Sequence, residues 1–216
     1  MLENIKACLF DLDGTVIDSM WLWKSVDEEY LARFGLTVPE KLKTDIEGKS
    51  MNETAEYFKS EFGIKDDIKK IVSDWNDMAL YKYANEVPLK DGFLQFFKYL
   101  KENNIKVGIC TSNSLVLTEA ALNAHGILDD FDAITTGCTD IKGKPEPDVY
   151  LQTAEKLNVK PSECIVFEDL CVGIQAGIAA GMKTVAVRDK FSEDQWERKV
   201  KMADYNIEDY NEVFKG

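Results

Sequence analysis

Apolar residues follow two rhythms along the chain. Short runs without alternation, ACLFD (7–11), KVGICTS (106–112), DAITTG (132–137), CIVFED (164–169) and TVAVR (184–188), end abruptly in polar residues. Such runs suit strands covered on both faces, as in a parallel sheet. Between them apolar positions recur at helical spacing. One stripe is Phe93, Phe96, Phe97 and Leu100, and another is Leu115, Thr118, Leu122 and His125, closed by Gly126 as a C′ residue. Val149 to Leu157 and Val172 to Ala180 continue the pattern, the latter ending at Gly181. Strand and helix in repetition predict an open α/β sheet, helices on both faces, with right-handed crossovers.

The stretch from Asp18 to Val87 breaks this order, because it holds no convincing strand. Val26, Tyr30 and Phe34 form a helical stripe stopped by Gly35 and Pro39. Met51, Ala55, Phe58 and Phe62 form a second, ended by Gly63, and Ile68, Ile71, Val72, Trp75 and Met78 a third. The expected organisation is therefore a core made of 1–17 and 88–216, with an all-helical subdomain inserted at 18–87. Linkers are expected near Gly14–Asp18 and Glu86–Gly92.

Composition narrows the function classes. With 216 residues, 45% hydrophobic and 30% charged, the chain can bury a sizeable core in one domain plus a small insertion. Its net charge of −13 argues against nucleic acid and anionic membranes, which require a basic face. An acidic chain can still bind phosphate if a metal or a few lysines supply positive charge. Cysteines 8, 110, 138, 164 and 171 form no CxxC pair and read as reduced core thiols. No segment reads as a signal peptide or membrane span, so a cytoplasmic protein is expected, with a monomer as the default.

The chemistry gathers at strand ends. In an open parallel sheet, ligands bind beyond the carboxyl ends of the strands. The first strand delivers Asp11 and Asp13, the second Thr111, Ser112 and Asn113, and the fourth Glu168 and Asp169. The loop GKPEPD adds Lys144. Crowded carboxylates need a counterion or must retain a proton. A divalent cation with oxygen ligands is the natural remedy, and Mg²⁺ accepts one or two carboxylates together with substrate phosphate. A DxD pair alone is weak: Asp130–Phe131–Asp132 is another, read as a helix-to-strand turn. Order and position carry the case.

DLDGT, TSN, GKPEPDVY and FEDLCVGIQAGIAAGM, in this order, resemble the four signature motifs of the haloacid dehalogenase-like superfamily. The helical insertion is similar to the cap of the subgroup (subfamily IA) that contains β-phosphoglucomutase and phosphoglycolate phosphatase. The resemblance implies a Rossmann-like core and a Mg²⁺-dependent phosphoryl-transfer enzyme. It makes Asp11 the nucleophile, forming an aspartyl phosphate, and Asp13 the general acid and base. Thr111 or Ser112 would bind phosphoryl oxygens, Asn113 would shape the same loop, and Lys144 would hold the nucleophile. Asp169 would ligate Mg²⁺ with the Asp11 carboxylate and the Asp13 main-chain carbonyl, supported by Glu168. Lys144–Pro145 is a candidate cis peptide.

Within the superfamily, Asp13 suits an oxygen leaving group that needs a proton. Mutases of the β-phosphoglucomutase type place a histidine in the first cap helix and an arginine in the loop between cap helices. Trp23 and Met51 stand at those places here, and the sole histidine, His125, reads as capping or packing. A phosphatase acting on a small phosphorylated metabolite (a sugar phosphate, nucleotide or small acid phosphate) is therefore favoured. The alternatives are a sugar phosphomutase and a phosphoryl-binding module without turnover. Leu170 departs from the serine usual after the acidic pair. Lys49, Ser50 and Asn52 are the cap candidates for specificity, while Trp21 and Trp23 read first as packing.

Overall fold

A computed structural model of the chain describes residues 1–137 and 142–214, so that Cys138 lies outside the described residues. Six strands form one sheet: β1 (Ala7–Phe10), β2 (Lys106–Thr111), β3 (Ala133–Thr136), β4 (Cys164–Glu168), β5 (Lys183–Val187) and β6 (Tyr205–Ile207). All neighbours are parallel, in the order β3-β2-β1-β4-β5-β6. The sixth strand escaped the sequence reading because YNI is short, polar in its middle and half exposed. The other five lie where their apolar runs placed them.

Strand geometry explains why those runs lack alternation. Successive side chains point to opposite faces, and here both faces are buried. Cys8 and Phe10 join one core cluster with Ile109, Ile165 and Phe167, while Ala7 and Leu9 join a second with Val166, Val149 and Tyr150. The flanking helices are α5 (Phe93–Glu102), α6 (Leu115–Ala124), α7 (Asp148–Lys156), α8 (Cys171–Ala179) and α9 (Trp196–Met202). In α5 the predicted stripe Phe93, Phe96, Phe97 and Leu100 is the buried face. In α6 the buried face is Leu117, Thr118, Ala121 and Leu122, and Leu115 is exposed. Thr118 and Leu122 keep their expected places on the buried face, whereas Leu115, in the first turn after the Ser114 cap, faces solvent.

Between β1 and α5 the described residues are helical: α1 (Met20–Ala32), α2 (Leu42–Ile46), α3 (Met51–Phe62) and α4 (Ile68–Asn85). This block has its own aromatic centre. The rings of Tyr30, Phe58 and Trp75, from α1, α3 and α4, meet at centroid distances of 5.0 to 6.2 Å. Phe34 lies past the end of α1 and is exposed. Ser50 and Glu53 form a capping box at the start of α3, Asp67 caps α4, and Gly63 closes α3 in the left-handed region. The connections to the sheet run side by side: Asp18 N donates to Pro88 O (2.9 Å) and Lys90 N to Val16 O (2.9 Å). α4 also packs on α6, so the block leans over the carboxyl end of the sheet.

An aromatic stack ties the sheet to its covering layer. Phe96 lies 5.4 Å from Phe167 and 5.6 Å from Tyr210, and Tyr210 donates from its hydroxyl to Thr15 O at 3.2 Å. Truncating Phe96 opens a cavity beneath β1 and β4 that rigid strands cannot fill. Phe96→Ala is expected to lower unfolding stability by about 3–5 kcal/mol, read as a reduced urea midpoint at unchanged m-value.

Candidate active site

β1 and β4 are adjacent and in register, Phe10 opposite Phe167. The residues that follow them therefore emerge side by side. Asp11, Glu168 and Asp169 form a buried triad whose nearest carboxylate oxygens all lie within 4.8 Å of one another. Lys144 reaches this triad from the loop before α7, across the cis Lys144–Pro145 peptide. Its ammonium donates to Asp11 Oδ1 at 2.6 Å and, more closely still, to Glu168 Oε1. Tyr150 adds a hydroxyl donor to the same Glu168 oxygen at 2.9 Å.

Electrostatically the site is short of positive charge. Burial, with the neighbouring carboxylates of Glu168 and Asp13, lifts Asp11 to about 8 in spite of Lys144. Burial together with Glu168 and Asp11 also pushes Asp169 well above the usual carboxylate range. For Lys144, burial works downward, but Asp11 and Glu168 outweigh it and hold the ammonium above its ordinary value.

The donor set fits a hard cation. It consists of carboxylate oxygens, the ligands that Mg²⁺ and Ca²⁺ prefer. Asp169 Oδ2 is fully buried and has no hydrogen-bond partner among the described residues, which a bound cation would supply. Its other oxygen accepts from Thr15 Oγ1 at 3.4 Å, and its main-chain oxygen accepts from Ser192 Oγ (2.8 Å) and the buried Lys199 ammonium (2.6 Å). Two glycines leave room for the triad. A Cβ on Gly14, whose φ is +83°, would lie 2.5 Å from Asp169 Oδ2, and one on Gly173 would overlap the Glu168 carboxylate.

Asp13 points elsewhere. Its carboxylate accepts from Ser19 Oγ (2.5 Å), from Asn113 Nδ2 (2.9 Å) and, at close range, from the Tyr83 hydroxyl. Tyr83 belongs to α4, and its oxygen also accepts from Asn113 Nδ2 and from Trp23 Nε1, each at 2.9 Å. Ser19, Tyr83 and Lys199 were not singled out from the sequence. Tyr83 is separated from Asp13 by 70 residues and carries no motif. Lys199 lies in the charged run ERKVK, which gives no sign that it will be buried.

A cavity of about 590 Å³ opens above these groups. Asp11, Asp13, Thr111, Ser112, Asn113, Lys144 and Glu168 all line it, so the sequence-selected residues of three strand ends and the Lys144 loop share one space. Thr111 Oγ1 accepts from the Asn113 amide (3.0 Å), and Ser112 Oγ donates to Gly48 O (3.3 Å). Of the cap candidates, Lys49 lines the cavity, Ser50 is the buried cap of α3, and Asn52 is half-buried and outside the lining. Trp21 donates to Asp18 O and lies under Lys82, as packing requires, whereas Trp23 packs on Tyr83 and also faces the cavity. Leu170 is a lining residue too. His125 bonds Val87 O at 2.9 Å, a structural role, and Asp132 accepts from the Val107 amide at the turn into β3.

A family model described as haloacid dehalogenase-like hydrolase matches residues 5–181. A Drosophila melanogaster protein named "Probable pseudouridine-5'-phosphatase" is 28% identical, covering 88% of this chain and 84% of its own. Hexitol phosphatase A of Escherichia coli (strain K12) is 31% identical, covering 84% and 82% respectively. Among solved structures, β-phosphoglucomutase from Clostridium difficile superposes with a TM-score of 0.81 at 26% identity, covering 98% of this chain and 94% of its own. The named phosphatases among these relatives support a phosphatase activity.

The charge imbalance has a measurable consequence for stability. A carboxyl raised in the folded state, as Asp11 is, favours folding below its unfolded value near 3.8, and that contribution is lost as pH rises through about 8. Metal-free protein is therefore expected to lose thermal stability from pH 6 to pH 9, and Asp11→Asn to flatten the decline. Lys144→Met, which strands Asp11 and Glu168 without their cation, is expected to cost about 3–5 kcal/mol in chemical denaturation.

Proposed function

As the chain belongs to the haloacid dehalogenase-like hydrolases, we propose that it is a Mg²⁺-dependent phosphatase of a small phosphorylated metabolite, working through an aspartyl phosphate. The observation that carries this reading is the convergence of Asp11, Lys144, Glu168 and Asp169 beneath a cavity large enough for an organic phosphate. Mg²⁺ would be held by the carboxylates of Asp11 and Asp169 and the main-chain oxygen of Asp13, with Glu168 in support, and would supply charge stabilisation to the phosphoryl oxygens. The orphaned Asp169 oxygen is what favours a cation there.

The chain's own residues divide the remaining work. Asp11 forms a bond to phosphorus as the ester P–O bond breaks, and Asp13 gives its proton to the departing alcohol oxygen. Water then attacks the aspartyl phosphate, delivers a proton to Asp13, and inorganic phosphate leaves. Lys144, already seated on Asp11 Oδ1, aims the nucleophile and offsets charge on the transferring group. Thr111, Ser112 and Asn113 offer hydroxyl, amide and backbone donors at the phosphoryl end of the cavity. Residues 18–87 act as a cap that excludes water and contacts the alcohol part, with Lys49 facing the cavity from the loop before α3, while Ser50 caps that helix and Asn52, inside it, lies outside the lining. Tyr83 and Ser19 hold Asp13 at the angle that the cap contact defines.

Phosphatase is preferred over mutase because Trp23 and Met51 occupy the positions where histidine and arginine are expected in the mutases. A phosphorylated-metabolite panel tests the reading directly. Phosphate release is expected with Mg²⁺, abolished by EDTA and by Asp11→Asn. Asp13→Asn is expected to lose about 10²–10⁴ in kcat. Conversion of a sugar phosphate to its isomer, followed by NMR, would instead establish the mutase. Tyr83→Phe removes one donor to Asp13 and should lower kcat about tenfold while moving KM less. Equal losses in kcat for Tyr83→Phe and a remote packing variant would remove Tyr83 from the mechanism.

A further inference from the structure

The cavity is not uniform. Lys24, Glu28, Glu40 and Lys49 line it and are exposed to solvent. The buried and half-buried wall that the helical block contributes is instead mostly apolar, formed by Met20, Trp23, Leu42, Ile46, Met51 and Trp75, with Asp27, Thr54 and the Gln195-bonded Glu47 as its polar members. Trp23 is held at a defined angle: its indole N–H donates to the Tyr83 hydroxyl at 2.9 Å, and the two rings meet at 61° with centroids 6.1 Å apart. It lines the same space as Asp11 and Asp13, so it faces whatever alcohol is attached to a phosphoryl group there. One helical turn further on, Asp27 also lines the cavity, half-buried and without a hydrogen bond or ion pair to another described residue. Burial, with Glu28 nearby, raises its carboxyl to about 7, so it can exchange hydrogen bonds with a bound molecule near neutral pH.

A polyol suits this wall poorly. Each hydroxyl facing Met20, Leu42, Ile46 or Met51 would lose water and gain no partner, a loss of about tenfold or more in affinity per group. A planar heteroaromatic ring can lay its apolar face on such a wall, keep its polar edge for Asp27 or the solvent-facing rim, and gain from a fixed aromatic face. We propose that the alcohol part of the substrate carries a planar aromatic ring, as in a nucleoside 5′-monophosphate, which stacks on Trp23 and hydrogen-bonds Asp27. This inference rests on the phosphatase reading for the identity of the site, and it narrows the substrate from any small phosphate ester to ring-bearing ones.

Matched ligands separate the two ideas. Binding of uridine 5′-monophosphate, adenosine 5′-monophosphate and flavin mononucleotide is measured by calorimetry on Asp11→Asn with Mg²⁺, against ribose 5-phosphate, which has the phosphate and a sugar but no ring. At least one ring-bearing ligand is expected to bind about tenfold tighter or better than ribose 5-phosphate. In the same background Trp23→Ala should bring that ratio close to one, and Trp23→Phe should restore part of it. Equal affinities, no binding of any ring-bearing ligand, or a ratio untouched by Trp23→Ala would each overturn the inference. Turnover is read separately on the wild-type enzyme. Phosphate release that favours ribose 5-phosphate refutes the ring while sustaining the phosphatase. Ring-dependent binding without phosphate release from any ester sustains the ring and refutes the phosphatase.

Discussion

Everything in this structure leans on one buried ammonium set among too many carboxylates. Lys144 is 7% exposed and bridges Asp11 and Glu168, while Asp169, fully buried, stands beside them. Three acidic groups share that one ion-paired ammonium, while the Lys199 ammonium reaches Asp169 only at its main-chain oxygen, an unbalanced arrangement in a low-dielectric interior, where isolated charges are costly. The fold tolerates it because the rest of the sheet is densely apolar and well registered. The imbalance is what a cation and a phosphoryl group together would correct, one supplying positive charge and the other bringing ligand oxygens. A cation bound there would restore stability at the place where the unpaired carboxylates withhold it.

Sheet topology decides where that imbalance falls. With the order β3-β2-β1-β4-β5-β6, β1 sits between the strand that follows it and the one that arrives two crossovers later. Crossovers on its two sides diverge, leaving a crevice at its carboxyl end. Asp11 enters that crevice from β1, Thr111 from β2 and Glu168 from β4, although they are more than fifty residues apart in sequence. No single motif could build the site. Register does it, and a slip of one residue in β1 would turn Phe10 toward the site and Asp11 toward the core.

Much of this is legible in the sequence. Buried parallel strands announce themselves as apolar runs, and five of the six were readable for that reason, as was the αβα architecture. β6 was not, since an edge strand of three residues has no period to detect. The strand-end residues were readable because polar groups following an apolar run have only one place to go. Tyr83, Ser19 and Lys199 were opaque for a different cause. Each acts through a tertiary contact that depends on where a helix lands, and helical periodicity reports which face is buried without saying against what. Trp23 shows the same limit, since packing and cavity-lining positions share one spacing, and here the side chain packs on Tyr83 and also lines the cavity.

The helical block and the sheet meet at more than a surface. The two connecting segments run antiparallel beside each other, with Ile17 bridged to Leu89, so the chain leaves and re-enters the core at the lip of the cavity. From there α4 returns Tyr83 to Asp13 and α1 brings Trp23 onto Tyr83. Loop 48–51 adds contacts to Ser112, and Glu53 accepts from the Gly143 amide at 3.3 Å, one residue before Lys144. The loops proposed to hold phosphate and the loops that touch the helical block are therefore the same. A displacement of the block cannot leave Asp13, Ser112 and the Lys144 loop all undisturbed. Because hydrogen bonds of this length tolerate little stretching, seating the block and aligning the reactive groups amount to one structural event, which is the coupling expected of an enzyme that must keep water out until its substrate is in place.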